Sequence, residues 1–448
     1  MTKNEEIVLE ITDVTHDGSG IGKYGNMAVF VPLTAKGDTV KAKILKVKKT
    51  YAYAKMLEII TPSRDRVTPD CKVFSRCGGC VYRHINYSSQ LKIKQNKVYE
   101  NMKRIGGIDL PPQPVLSGEC NRYRNKAQYP VSANGLVGFY ATHSHRITET
   151  DCCLLQPQIF DSICAVFTQF IKKYNIPVYN ESSHKGLVRH LYLRYAQKTD
   201  EIMVCLVLTK DSLPHEKEFE NDLIGLLGTR LKSFIINVNN RDTNVILGEK
   251  CRTVYGSGFI TDVICGIKIR ISPLSFYQVN RDMAELLYKK AAEYLRPDGK
   301  NIIDLYCGTG TIGLTMAATA ESIIGVEVVA DAVRDAKVNA EINGIKNARF
   351  ICADAADAAQ SPAKEKIKCD AVVLDPPRKG CEEKLLKTVA YDFSPETIVY
   401  ISCDSATLAR DAAVLQTFGY SLTQYTPVDM FPQTHHIETL AKFIKSNK

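Results

Sequence analysis

Five short apolar runs recur after Ser272, at residues 302–305, 322–326, 348–351, 371–374 and 397–402, and turns and helix-compatible stretches separate them. Strand, turn, helix, strand, repeated in this way, leaves few topologies open. The rhythm predicts a mostly parallel sheet with helices on both faces, an α/β Rossmann-like domain over residues 271–448. Upstream the pattern is different. Residues 5 to about 60 alternate β-prone runs (7–11, 27–31, 40–44) with glycine turns such as Asp17-Gly18-Ser19-Gly20, which predicts an OB-like β-barrel over 1–63. Thr61-Pro62-Ser63-Arg64-Asp65 reads as a linker. A helix is predicted over 88–105, with Leu91, Val98 and Met102 on one face. Strands at 201–208, 233–238 and 244–247 with helices near 158–173 and 214–228 make 64–270 a central α+β domain.

With 45% hydrophobic and 24% charged residues in 448, the chain has ordinary globular composition. The uncharged run 305–320 is broken by Gly and Thr and is shorter than the ~20 apolar residues of a membrane span. The first residues, Met1-Thr2-Lys3-Asn4-Glu5-Glu6, form no apolar leader, so a soluble cytoplasmic protein without membrane partners is expected. Fifteen cysteines in such a chain are expected to be reduced thiols available for metals or catalysis. Residues 71–126 hold eleven Lys/Arg against three Asp/Glu, nearly the whole of the net +9. Lys36, Lys41, Lys43, Lys46, Lys48 and Lys49 face only Asp38. Such a footprint suits a polyanion, RNA or DNA, and the alternative is a solvated surface.

The run Asp304-Leu305-Tyr306-Cys307-Gly308-Thr309-Gly310 joins an apolar strand to glycines that let the backbone turn tightly and approach a ligand. Gly313 completes a dinucleotide-like spacing, so a nicotinamide site stays open on glycines alone. Glu327, at the end of the next strand, is placed to accept both ribose hydroxyls of an adenosine, and Asp354, after the third, to touch the adenine edge. Asp375-Pro376-Pro377-Arg378-Lys379-Gly380 holds Asp375 at the carboxyl edge, where open α/β sheets bind ligands. Cys403 ends a further strand at that edge and is a candidate nucleophile. Glu438 sits beside an apolar pair, where a desolvated carboxylate can act as a general base. The adjacent His435 and His436 have poor spacing for metal ligands and read as solvated or core residues. Cys71, Cys77 and Cys80 form C-x5-C-x2-C, three thiols that need a fourth ligand to close a zinc or a 4Fe-4S site.

Together D-L-Y-C-G-T-G, Glu327, D-P-P-R-K-G, S-C-D and H-I-E-T resemble the RNA uracil-5-methyltransferase family, which uses S-adenosylmethionine, over essentially the whole chain. The N-terminal module resembles a TRAM domain, the RNA-binding barrel of the ribosomal RNA members. The resemblance thus implies a multi-domain protein: a TRAM barrel, a central α+β domain with a Cys-ligated cluster, and a C-terminal methyltransferase domain. It implies that Gln278, Tyr306, Glu327 and Asp375 contact S-adenosylmethionine, with Thr311 as a further neighbour and Asp354 near the adenine. Cys403 would add to uracil C6 and Glu438 would take the C5 proton, on a flipped uridine. The resemblance also implies a 4Fe-4S cluster over zinc, with Cys152 as fourth ligand and Cys153 as the alternative. A TRAM-like module together with the cysteine site favours 23S ribosomal RNA over transfer RNA as substrate, for a monomeric enzyme. The rivals are an iron-sulfur oxidoreductase with a dinucleotide fold and a non-enzymatic RNA-binding protein.

Overall fold

The computed structural model describes residues 1–355 and 368–446. The chain forms two compact units. The first comprises Met1–Lys97, Phe139–Thr148 and Phe431–Ile437; the second comprises Val98–Gly138, Glu149–Met430 and Glu438–Lys448.

In the first unit, β1 (Glu6–Val14), β2 (Gly20–Tyr24), β3 (Met27–Val31), β4 (Thr39–Val47) and β5 (Tyr51–Thr61) close a barrel in the order β1-β2-β3-β5-β4. Alternate residues of β1 and β4 point inward, so Ile7, Leu9, Ile11, Val40, Ala42 and Ile44 fill the barrel with Val29, Val31, Ala52 and Ala54. Asp38 is fully buried and therefore does not offset the lysines around it. Its carboxylate accepts from the Arg66 guanidinium, from Ser63 N at 2.8 Å and from Ala35 N at 2.6 Å, which ties residues 63–66 back onto the barrel. Lys41 is paired with Glu6 at 2.7 Å.

Helix α1 (Tyr87–Arg104) starts where Asn86 Oδ1 accepts from Ser89 N at 2.9 Å. Val98 and Met102 are buried as expected, but Leu91 is only half-buried. Gln90 and Lys94 are buried in its place, because the first half of the helix meets main-chain atoms. Gln90 Nε2 donates to Tyr82 O, Ile85 O and Gln433 Oε1, its Oε1 accepts from Gln433 N, and Lys94 Nζ donates to Phe431 O at 3.0 Å.

In the second unit β6 (Lys126–Pro130) is followed by the short pair β7 (Gly138–Tyr140) and β8 (Ile147–Glu149), whose residues fall largely in the first unit. Then come α2 (Gln158–Lys173), β9 (Val188–Ala196), β10 (Glu201–Leu208), α3 (Glu216–Leu227), β11 (Leu231–Val238) and β12 (Lys250–Gly256). Their sheet has the order β12-β11-β10-β9-β6. Phe167, Phe170, Phe219 and Phe234 join α2 and α3 to it. The strand expected at 244–247 is a loop. Side chains satisfy its backbone in place of a ladder: Asn239 Nδ2 donates to Val245 O and Ile246 O, and Asn237 exchanges both hydrogen bonds with Gly248.

A hairpin of β13 (Ile260–Ile264) and β14 (Ile267–Ile271) leads to α4 (Arg281–Leu295), β15 (Asn301–Leu305), α5 (Thr311–Met316), β16 (Ser322–Glu327) and α6 (Ala330–Ile342). After β17 (Ala348–Cys352) and β18 (Ala371–Leu374) come α7 (Glu383–Thr388), β19 (Thr397–Ser402), α8 (Ser405–Thr417), β20 (Tyr420–Val428) and β21 (Glu438–Lys445). The sheet order is β17-β16-β15-β18-β19-β21-β20, with β21 running opposite to the other six strands. All five runs predicted from the sequence are strands of this sheet. Gly313 lets α5 approach β15: a Cβ there would lie 2.8 Å from Ile323 and 3.0 Å from Asp304 Oδ2, which accepts from Gly313 N.

Candidate active site

Leu305 pairs with both Val326 and Leu374, Leu374 with Tyr400, and Glu327 with Cys352, so the carboxyl ends of the parallel strands are level. Tyr306, Glu327, Asp354, Asp375 and Cys403 all follow or end these strands on one edge, where α/β sheets place their ligands. Strand β21 runs the other way. Ser402 pairs with Thr439, so the next residues, Cys403 and Glu438, stand opposite each other across β19 and β21. Asp404 caps α8 by accepting from Ala406 N at 2.9 Å and Thr407 N at 3.3 Å, which fixes Cys403 between a strand end and a helix start.

The edge is electrostatically unusual. Glu438 is 6% exposed, and burial with Asp375 nearby pushes its carboxyl up to about 8, against the pull of Arg378. Desolvation pushes Asp375 up to about 7. Asp304 is fully buried and also rises to about 7, through burial with Asp375 and Glu327 near, while its Oδ1 has no hydrogen-bond partner among the described residues. The Tyr288 hydroxyl on α4, among Asp375, Asp304 and Glu438, is pushed well up by burial. Burial and Glu438 push the Cys403 thiol up to about 11, and Arg378 is the cation that lowers it. These desolvated acids, one with an orphaned oxygen, fit a ligand that brings a positive charge, such as a sulfonium.

The remaining expected residues are held as follows. Glu327 accepts from Gly308 N at 3.1 Å and Val329 N at 2.9 Å, so backbone amides aim its carboxylate. Tyr306 has a left-handed backbone (φ 64°) and its ring stands near Cys381 and Asp354. Asn125 supports the Gln278 segment, its Nδ2 donating to Gln278 O and its N–H to Val279 O, each at 2.8 Å. Thr311 is buried with its hydroxyl 3.1 Å from that of Thr309, and Asp354 is exposed beyond β17. His435 is half-buried, and burial holds its imidazole down at about 4. Sequence reasoning missed Asp304 as a charged partner, Tyr288 and Arg378. Asp304 was visible as an acid inside an apolar strand; Tyr288 gave no signal on its amphipathic helix.

Cys71, Cys77 and Cys80 lie in the first unit and Cys152 in the second. The Cys80 thiol is raised mainly by burial, with Cys77 and Cys71 adding to the rise and Arg83 opposing it, so the three sulfurs are near neighbours. Gly79 N donates to Cys77 Sγ at 3.4 Å. Cys152 is exposed and its sulfur accepts from Arg122 at 3.5 Å, whereas Cys153 offers its N–H to Asp161. Among the described residues no three His, Cys, Asp or Glu side chains are grouped as the ligands of a metal are.

The whole architecture is similar to a solved tRNA (uracil-54, C5)-methyltransferase of Pyrococcus abyssi in complex with S-adenosyl-L-homocysteine. The TM-score is 0.80 at 27% identity, over 97% of this chain and 99% of that one. Fold and edge together define a methyltransferase. The family model for tRNA (Uracil-5-)-methyltransferase matches residues 86–445, and that for the TRAM domain matches residues 2–57. An uncharacterized RNA methyltransferase of Clostridium acetobutylicum is 42% identical over 457 residues, covering 100% of this chain and 98% of its own. One from Clostridium tetani is 42% identical over 447 residues, covering 98% and 96%. The chain belongs to the tRNA (uracil-5-)-methyltransferase family of S-adenosylmethionine-dependent RNA methyltransferases, with an N-terminal TRAM domain. No helix among the described residues is long and apolar enough to cross a membrane.

The raised carboxyl of Glu438 has a measurable consequence for stability. Its folded value of about 8 lies above the unfolded value of ~4.3, so its contribution is fully present below pH ~4 and is lost as pH rises toward 8. Glu438→Gln does not titrate. Its melting temperature relative to the parent should therefore become steadily more favourable from pH 5 to pH 8, measured without ligand. A pH-independent difference would mean that Glu438 is not desolvated.

Proposed function

We propose that the protein transfers a methyl group from S-adenosylmethionine to C5 of one uridine in RNA, through a covalent bond between Cys403 and C6. The observation that carries this reading is the placement of Cys403 opposite Glu438 across β19 and β21. Uracil C5 is a poor nucleophile until something adds at C6. Addition of the Cys403 thiolate forms the S–C6 bond and moves the C5–C6 electron pair into an enolate. C5 then takes the methyl group from the sulfonium, which departs as the thioether. Glu438, ionised, removes the C5 proton; the C6–S bond breaks, the C5–C6 double bond reforms and the thiolate is regenerated. Arg378, which pulls both Cys403 and Glu438 toward their charged forms, favours the thiolate and the ionised base. By resemblance Gln278, Tyr306, Thr311, Glu327, Asp354 and Asp375 serve the cofactor.

The substrate we favour is 23S ribosomal RNA in the cytoplasm, on the combination of the TRAM domain with the cysteine motif. Transfer RNA is the second reading, favoured by the activity of the Pyrococcus abyssi tRNA (uracil-54, C5)-methyltransferase. Lys43, Lys46 and Lys55 on the outer surface of β4 and β5 would meet RNA phosphates. Cys71, Cys77, Cys80 and Cys152 would hold a 4Fe-4S cluster, with zinc as the alternative metal and Cys153 as the alternative ligand. The neighbouring sulfurs of Cys71, Cys77 and Cys80 support it, and no step of the reaction passes through it.

Ribosomal and transfer RNA from cells lacking the gene, incubated with enzyme and S-adenosylmethionine, should show new 5-methyluridine in the ribosomal fraction. Methylation of transfer RNA alone would select the second reading. Cys403→Ala should bind S-adenosylmethionine normally and lose activity. Glu438→Gln should accumulate a detergent-resistant protein–RNA adduct, absent when Cys403 is also replaced; near-normal turnover by either variant would remove that residue from the mechanism. Protein purified without air should contain iron, and stoichiometric zinc or no metal would contradict the cluster.

A further inference from the structure

Asp411 lies on α8, eight residues past Cys403, and is 1% exposed. A carboxylate so deeply buried needs several donors, and it has them. One oxygen accepts from Cys381 N at 2.8 Å and from the Tyr400 hydroxyl at 2.6 Å. The other accepts from Arg410 Nε at 2.8 Å. Arg410 also donates to Lys379 O at 2.9 Å. Every one of these bonds ends on residues 379–381, on β19, or on α8 itself. The loop closes over the pair so tightly that a Cβ on Gly380, which has φ 76°, would lie 2.6 Å from both Asp411 Oδ2 and the Arg410 guanidinium. At its start the same loop is held by Asp375 N donating to Leu305 O at 3.4 Å. The segment from Asp375 to Cys381 is therefore fixed at both ends, with Arg378 between the two anchors.

We propose that Asp411, with Tyr400 and Arg410, is a positioning residue: by holding Cys381 and Lys379 it keeps Arg378 facing Cys403 and Glu438. The charges that act on those two groups come from three places. Cys403 feels Glu438 on β21 and Arg378 and Asp375 on the loop, while Glu438 feels Asp375 and Arg378. Arg378 is the one cation in each set, so the loop's position decides whether thiolate and carboxylate have a counter-charge. Arg378 is exposed at the loop's tip and without the anchor has no reason to stay there. Nothing in the sequence marked Asp411, an acid on the buried side of an otherwise ordinary helix.

The inference rests on the proposed reaction at Cys403, and the test separates the two. The full-length parent is assayed first: a parent that methylates no RNA rejects the reaction itself. With an active parent, the pH dependence of kcat is compared for parent, Asp411→Asn, Arg378→Met and the double variant. The account expects Asp411→Asn to lower kcat roughly 10-fold or more and to move the ascending limb to higher pH, in the same direction as Arg378→Met. The double variant should be no worse than Arg378→Met alone, since the anchor acts through that side chain. An unshifted limb, or losses that multiply in the double variant, overturns the proposal and leaves Asp411 a fold-stabilising acid. Should Asp411→Asn fail to fold, Tyr400→Phe, which keeps the core volume, is read in its place. It should shift the limb the same way by a smaller amount, and an unshifted limb again overturns the proposal.

Discussion

An antiparallel strand begins where its parallel neighbours end, and the candidate active site depends on that reversal. Five parallel strands bring backbone turns and acids to one edge, but each can contribute only the residue with which it terminates. Strand β21, entering between β19 and β20 in the opposite sense, contributes its first residue instead. Glu438 thereby arrives across from Cys403 although 34 residues of chain separate them. Glu438 is held through its pairing with Val428, and Cys403 directly follows Ser402, which pairs with Thr439, so both stand at the end of one ladder. In the proposed reaction a nucleophile and a base act in two successive steps on one ring, where a shift of about 1 Å in either would be costly to the rate.

The same edge gathers more negative charge than a dry environment tolerates. Asp304, Asp375 and Glu438 are each pushed above the ordinary carboxylate range, by burial first and, for Asp304 and Glu438, by the charge of Asp375 as well. In the proposed reaction two positive charges would offset these acids, Arg378 from the loop and the sulfonium of the methyl donor. The Gln90–Gln433 amide pair shows a parallel economy in the first unit, where Phe431–Ile437 is held by side-chain amides and by the Val81 and Tyr82 N–H groups donating to Gln433 O.

Much of this was legible in the residues. The barrel's alternation and the five apolar runs of the catalytic sheet are strong periodic signals, and both appear within a residue or two of where the pattern places them. Asp375, Cys403 and Glu438 could be singled out because polar residues that end apolar strands have little structural reason to be there. The strand expected at 244–247 failed because Asn237 and Asn239, outside the segment, capture its backbone groups. Leu91 failed as a core residue because periodicity identifies an apolar face and is blind to a helix that buries amides against main chain. Tyr288, Arg378 and Asp411 were illegible for a related reason: their importance lies in what a distant segment places beside them. The cysteine motif is legible as spacing, yet its sulfurs do not form a ligand shell among the described residues.

The central claim is that the methyl group replaces the hydrogen at C5 of uridine after Cys403 has added to C6. RNA carrying tritium at uridine C5 tests it directly. Incubated with the protein and S-adenosylmethionine, it should release tritium to water in a one-to-one ratio with methyl groups transferred, and Cys403→Ala should release none. Methyl transfer without tritium release would place the new bond at another atom, and release by Cys403→Ala at the parental rate would remove the covalent step.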